Sequence, residues 1–187
     1  FLDLLFGLLL LTVLLPIILL ISIIQLTVYK QHPIFQQIRI GQNAKKFNIY
    51  KFRTITSAGQ TPGFLSFLRK TKLDELPQLI NIIKQDMSFV GPRPDIPGYY
   101  DRLSIKYRTI LDLKPGLTGY ASLKFSKEEY LLKKQKDPLT YNDQVIFPEK
   151  LKLNLIYRKE LSLITDLKII ILTPLVILKL TTYEPNL

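Results

Sequence analysis

The sequence predicts an α/β, mostly helical domain seated on a membrane, and three observations predict it. Residues 4–29 carry no charged side chain, a run long enough to cross a hydrocarbon core of ~30 Å at roughly 1.5 Å per residue. All 26 Lys and Arg and every one of the 15 acids except Asp3 come after that run, so the remainder is slightly more positive than the whole-chain +11. Residues 69–94, RKTKLDELPQLINIIKQDMSFVGPRP, join a basic lead-in, an apolar set at helical spacing and a loop framed by prolines. At 187 residues the chain has the size of one domain with a sizeable core.

The elements follow in order. A cleavable signal peptide fits the N-terminal run poorly, since no basic leader or small-residue cleavage site is visible. The simplest reading of the residues is one spanning membrane helix over residues 1–29, bent at Pro16, with residues 30–187 as the domain at its face. The bases downstream place that domain in the cytoplasm. Phe35, Ile38 and Ile40 do not alternate cleanly, Gly41-Gln42-Asn43 marks a turn, and residues 47–55 (FNIYKFRTI) read as an extended element. Residues 56–64 form a polar loop, and Phe64, Leu65, Phe67 and Leu68 an apolar patch.

The next helix starts at Thr71, with Asp74 completing a capping box, or later near Asp74, because Pro77 is tolerated only in a first turn. Either start puts Asp74 and Glu75 at a helix N-terminus, with Leu76, Leu79, Ile80 and Ile83 on one stripe. Residues 97–111 read as a helix, 113–123 as a tight turn and extended piece, 126–136 as a charged helix, 137–149 as a loop and 150–165 as a helix. The uncharged run 169–178 is too short to span. With Pro174 inside and Lys168 and Lys179 flanking, it suits a core or interfacial helix.

A surface this basic favours phosphate: a nucleotide, lipid headgroups or nucleic acid. No helix-turn-helix, zinc or RNA-recognition motif supports the last. With no cysteine there is neither a disulfide framework nor a thiolate metal site. His32 is the only histidine, precedes Pro33, and reads as a loop residue at the membrane boundary. Acids are common in first helical turns, so the Asp74-Glu75 pair alone proves nothing. Its neighbours do more: Arg69, Lys70, Lys72 and Arg93 suit a phosphate, and an Asp among cations stays ionised, as a nucleophile for phosphorus must. Lys51 and Arg53 read equally as a solvated or lipid-facing basic face and as substrate contacts.

LDELPQLINIIK followed by DMSFVGPRP resembles the bacterial sugar transferase family, the monotopic phosphoglycosyl transferases, whose hallmarks are an Asp-Glu dyad and a Gly-Pro-Arg-Pro loop. Gln37, Arg39 and Gly41, the run Tyr50 to Arg53, the run Lys114 to Gly119, and the ending from Ser162 through Asp166 to Ile169 also match, so the resemblance covers nearly the whole chain. It implies a monotopic domain with interfacial amphipathic helices and a re-entrant N-terminal helix broken near Pro16. The family's Ser-Pro pair is Leu15-Pro16 here, and its usual Asp-x-x-Tyr is Asn154 to Tyr157.

The resemblance further implies transfer of a sugar-1-phosphate from a UDP-sugar to polyprenol (undecaprenyl) phosphate, releasing UMP through a covalent aspartyl-phosphosugar. The setting would be the cytoplasmic face of a bacterial inner membrane. Asp74 would be the nucleophile. Glu75 would coordinate Mg²⁺ with Asp74 or position the leaving group. Arg93, held by Pro92 and Pro94, would meet the nucleotide; Arg69 would hold the dyad or a phosphate; Lys51 and Arg53 would add substrate contacts. The alternative is a non-catalytic membrane-docking scaffold that binds anionic lipid.

Overall fold

A computed structural model describes residues 2–184. The uncharged run forms α1 (Leu2–Thr27), a helix that continues across Pro16. Thr12, Ser22 and Thr27 each donate a hydroxyl to the carbonyl four residues back, so the helix's hydroxyls are satisfied within it. Leu5, Leu9, Val13, Leu20 and Ile23 are exposed on its surface. The helix is long and apolar enough to cross a membrane.

A hairpin follows: β1 (Ile34–Ile40) and β2 (Lys46–Phe52) pair as a two-stranded sheet. Asn43 and Ala44 turn the chain in the left-handed region, at φ 54° and 57°. The extended element expected at 47–55 is β2, which stops at Phe52. β1 was illegible because its burial does not alternate: Phe35 and Ile38 are exposed and only Ile40 is deeply buried. The apolar patch after Pro62 is α2 (Gly63–Lys70), which buries Leu65 and Leu68, three residues apart, and leaves Phe67 outward.

The central stretch is a 3₁₀ segment, Leu73–Gln78, running into the short α3 (Leu79–Ile83). Its stripe differs from the expected one. Leu79 and Ile82 are buried while Ile80 is 39% exposed, because the tighter 3₁₀ turns shift the phase before the α-helix begins.

By their internal contacts the residues fall into two compact units, Phe1–Arg39 with Lys46–Ser88, and Ile40–Lys45 with Phe89–Leu187. In the first, Ile21, Phe52, Leu65 and Leu68 form the core. The second takes the hairpin tip and has two clusters: Ile40, Tyr100, Ile110 and Leu151, and Val90, Leu123, Tyr157, Ile169 and Val176.

β3 (Ser88–Val90) pairs with β4 (Gly116–Thr118), followed by α4 (Tyr120–Lys124) and α5 (Glu128–Lys133). The helix expected over 97–111 is two 3₁₀ stretches, Tyr100–Arg102 and Ile105–Asp112. Extended Leu103 and Ser104 part them, which lets Tyr100 and Ile110 reach the same cluster. The loop expected over 137–149 is helical: α6 (Pro138–Tyr141), a π-helical turn Asn142–Ile146, and the start of α7 (Phe147–Lys159). Pro138 and Pro148 sit in first turns, where a missing N–H is harmless, and Asp137 caps α6 by accepting from Thr140 N at 3.1 Å. Last comes α8 (Leu163–Ile177), capped by Ser162, which accepts from Thr165 N at 3.1 Å.

Candidate active site

The dyad sits where the chain reverses after α2. The Thr71 hydroxyl donates to the Phe67 carbonyl at 2.8 Å, so Thr71 closes α2 and does not cap the next helix. Lys72 then takes φ 60°, the left-handed region, and the 3₁₀ segment starts at Leu73. Asp74 and Glu75 fall in its first turn, and Pro77 lies inside the segment, where it donates no backbone hydrogen bond. Both acids are buried, at 9% and 6% exposure, although carboxylates are almost never so unless partnered.

Glu75 has a partner: Lys51 Nζ, from β2, lies 3.1 Å from Glu75 Oε1. Asp74 Oδ1 is buried with no hydrogen-bond partner. Burial first, and the Glu75 carboxylate second, push the Asp74 carboxyl up from 3.8 to about 6, while Lys51, Lys72 and Arg69 pull it down. Desolvation outweighs them, although at neutral pH the carboxylate remains the major form.

Within this first unit the structure brings together Asp74, Glu75 and Lys51, with Arg69 and Lys72 near enough to bear on the Asp74 charge. Arg53 lies at the hairpin base, where its Nε donates to the His32 carbonyl at 3.2 Å and its guanidinium stands 6.0 Å from the Phe35 ring centre. His32 is exposed in that loop, as expected. Two buried amides next to the dyad escaped the sequence reading. Gln78 is 2% exposed with an unbonded Nε2, and Asn81 is fully buried. The available signal was a carboxamide within an otherwise apolar helical run, LPQLINII.

Arg93 belongs to the second unit. It lines a small cavity with Gly41, Pro92, Pro94, Tyr100 and Pro115, and both flanking prolines are buried. Its loop is fixed by a close backbone crossing. Gly91 N donates to the Thr118 carbonyl and Gly116 N to the Pro92 carbonyl, both at 2.9 Å. A Cβ at Gly91 would come within 2.4 Å of the Lys114 carbonyl oxygen, and one at Gly116 within 2.1 Å of Gly91 N. The Gly-Pro-Arg-Pro and Lys-Pro-Gly-Leu-Thr-Gly motifs are thus two halves of one device that holds Arg93. Asn154 is buried and donates to the Tyr100 hydroxyl at 2.8 Å, a neutral bond inside the core.

A family model, bacterial sugar transferase, matches residues 1–180. This chain belongs to the bacterial sugar transferase family. It is 33% identical over 150 residues to the uncharacterized sugar transferase EpsL of Bacillus subtilis strain 168, covering 74% of this chain and 66% of that protein. It is 32% identical over 169 residues to the galactosyl transferase CpsE of Streptococcus agalactiae, over 78% of this chain and 34% of the relative. It is 31% identical over 192 residues to a UDP-glucose:undecaprenyl-phosphate glucose-1-phosphate transferase of Klebsiella pneumoniae, over 91% of this chain and 38% of the relative. The matched region therefore spans just under two thirds of the first relative and little more than a third of the other two.

Proposed function

We propose that this protein is a phosphoglycosyl transferase that moves a sugar-1-phosphate from a UDP-sugar to undecaprenyl phosphate and releases UMP. The observation that carries this reading is Asp74: a buried carboxylate with an unbonded oxygen, beside a second carboxylate tied to a lysine, in a chain of this family. The relative from Klebsiella pneumoniae bears the name of such an activity on UDP-glucose. A scaffold that only docks on lipid would have no use for an unbonded buried carboxylate.

In the first step an Asp74 oxygen attacks the β-phosphorus of the UDP-sugar. The bond from that phosphorus to the bridging oxygen breaks, and UMP leaves with the electron pair. The sugar-phosphate is then held on Asp74 as an acyl phosphate. In the second step a phosphate oxygen of undecaprenyl phosphate attacks the same phosphorus, the bond from that phosphorus to the Asp74 oxygen breaks, and Asp74 leaves as a carboxylate. Lys51 fixes the Glu75 side chain beside the reacting carboxylate, and Arg69 and Lys72 offset the negative charge that gathers there. Arg93, and beyond it Arg53, are assigned to substrate phosphate.

Asp74 and Glu75 would hold Mg²⁺. Among the described residues no cluster of three His, Cys, Asp or Glu exists, and Mg²⁺ bound through one or two carboxylates plus substrate phosphates suits that sparse donor set. When bound, the ion neutralises diphosphate charge.

The membrane seating of this reading is monotopic, with α1 entering and leaving on the cytoplasmic face. Both ends of α1 meet the same unit. Near its start, Asp3 Oδ1 accepts from Ser88 Oγ at 3.0 Å, and a Cβ on Gly7 would touch Ile82 and Ile83 at 3.4 Å. Near its end, Ile21 packs with Phe52, Leu65 and Leu68. In the second unit, α8 offers exposed Leu163, Ile164, Leu167 and Ile171 to an interface.

The decisive experiment measures UMP release from a panel of UDP-sugars with undecaprenyl phosphate, for wild type and Asp74→Asn. Wild type turns over at least one sugar, and the variant loses both turnover and the trapped sugar-phosphate adduct. Wild-type turnover in Asp74→Asn would remove the assignment.

A further inference from the structure

The free edge of β2 is held by a single side chain. β1 and β2 make a two-stranded sheet, so the second edge of β2 has no strand beside it among the described residues. Asn81 of α3, fully buried, fills the place. Its Nδ2 donates to the Asn48 carbonyl at 2.7 Å, and its Oδ1 accepts from Tyr50 N at 3.1 Å. Donating to one residue and accepting from the residue two further on is what the N–H and C=O of one residue in a parallel neighbouring strand would do around Ile49. The carboxamide, with one donor side and one acceptor side, stands in for that residue's N–H and C=O. The Asn81 main-chain carbonyl meanwhile accepts from Asp86 N and Met87 N at 3.0 and 3.3 Å, closing α3.

What this fixes is register. Lys51 follows Tyr50 directly and shares a strand face with buried Ile49. A slip of one residue between β2 and the 73–83 segment would send Lys51 to the opposite face. At the observed register its Nζ meets Glu75 Oε1. We infer that Asn81 is a positioning residue, which by pairing with the Asn48 carbonyl and the Tyr50 N–H sets Lys51 on Glu75 and so holds the carboxylate pair in its working geometry. The inference rests on the reading of Asp74 and Glu75 as the reacting carboxylates. Asn81 is not a catalytic residue, since its side chain is spent on the strand.

Two readouts test it. The first needs no turnover: Lys51 is labelled in detergent or nanodiscs with a small amine-directed reagent, and its modification rate is followed by mass spectrometry against exposed Lys133. In Asn81→Ser, whose hydroxyl can make only one of the two bonds, Lys51 should react several-fold faster than in wild type while Lys133 is unchanged. The second is a double-mutant cycle on turnover per folded molecule with Asn81→Ser and Lys51→Met. Each single variant should lose roughly tenfold or more, as expected for small misplacement of a reacting group. The pair should lose little beyond the larger single loss, with the apparent KM for UDP-sugar nearly unchanged. A purely structural asparagine would give additive losses, or none once the folded fraction is counted, and an unchanged Lys51 rate. Either result overturns the inference. Asn81→Thr serves as a second variant; should neither fold, Asn81 belongs to stability alone and the inference is wrong. If Asp74→Asn retains turnover while the labelling result holds, the functional reading fails and the positioning of Lys51 by Asn81 stands.

Discussion

Asp74 carries a conflict between folding and chemistry. Its carboxyl, raised from 3.8 to about 6 chiefly by burial, binds a proton more readily in the folded chain than in the unfolded one. Between those two values the native state holds more protons, so folding stability is greatest below pH 3.8 as far as this group is concerned and falls as pH rises through about 6. A shift of this size corresponds to at most about 3 kcal/mol. Asp74→Asn removes the ionisation and keeps the shape. Without Mg²⁺ at pH 7 the variant should therefore unfold at a higher temperature than wild type, and its stability should lack the decline between pH 4 and 6. Thermal unfolding in detergent across that range measures both. A variant less stable than wild type at pH 7 would show that the carboxylate is stabilised by its cations after all. On the proposed mechanism, turnover of the wild type should run the other way, rising with pH through about 6 as the Asp74 carboxyl ionises.

The elements divide into those whose cause is local and those whose cause is tertiary. α1 was legible because 26 residues of apolar chain have few other uses, and α8 only through its apolar run, since the helix expected over 150–165 ends at Lys159 and Ser162 caps a new one. The dyad and the Gly-Pro-Arg-Pro loop were legible as motifs, yet the reason for the glycines is a crossing with residues 116–119 that only the fold supplies. β1, the phase of α3 and the helices over 138–146 were misread. Each answers to partners distant in sequence, or to prolines whose role in a first turn looks like a loop signal. The Lys51–Glu75 pair, 24 residues apart, leaves no mark in either local sequence.

The monotopic reading of α1 makes its own prediction at this scale. The chain has no cysteine, so single cysteines at Leu2 and Lys30 report topology without background. In inverted membrane vesicles both should react with an impermeant maleimide, because both ends of α1 return to the unit that holds Asp74. Labelling at residue 30 alone would make α1 a spanning helix.

On the proposed membrane seating, two forces would hold the whole molecule at a bilayer, and their magnitudes differ. The basic surface, +11 overall, draws the protein to anionic lipid at about 1 kcal/mol for each Lys or Arg that reaches the headgroups, and 1 M salt cuts the screening length to about 3 Å. The apolar surface of α1 is larger in effect. Leu2, Leu5, Phe6, Leu8, Leu9, Val13, Leu15, Leu19, Leu20, Ile23 and Leu26 are each about half exposed or more, apart from Leu15 and Leu8 slightly under. Burying the rest of each in lipid at roughly 1 kcal/mol, about half the value for a whole side chain, sums to about 10 kcal/mol, and salt does not weaken it. Retention should therefore be indifferent to ionic strength, while charge governs which face meets the lipid. Membranes washed in 1 M salt should keep the protein in the pellet, and detergent should release it. Release by salt alone would mean that α1 packs within the protein and that the basic face is the true anchor.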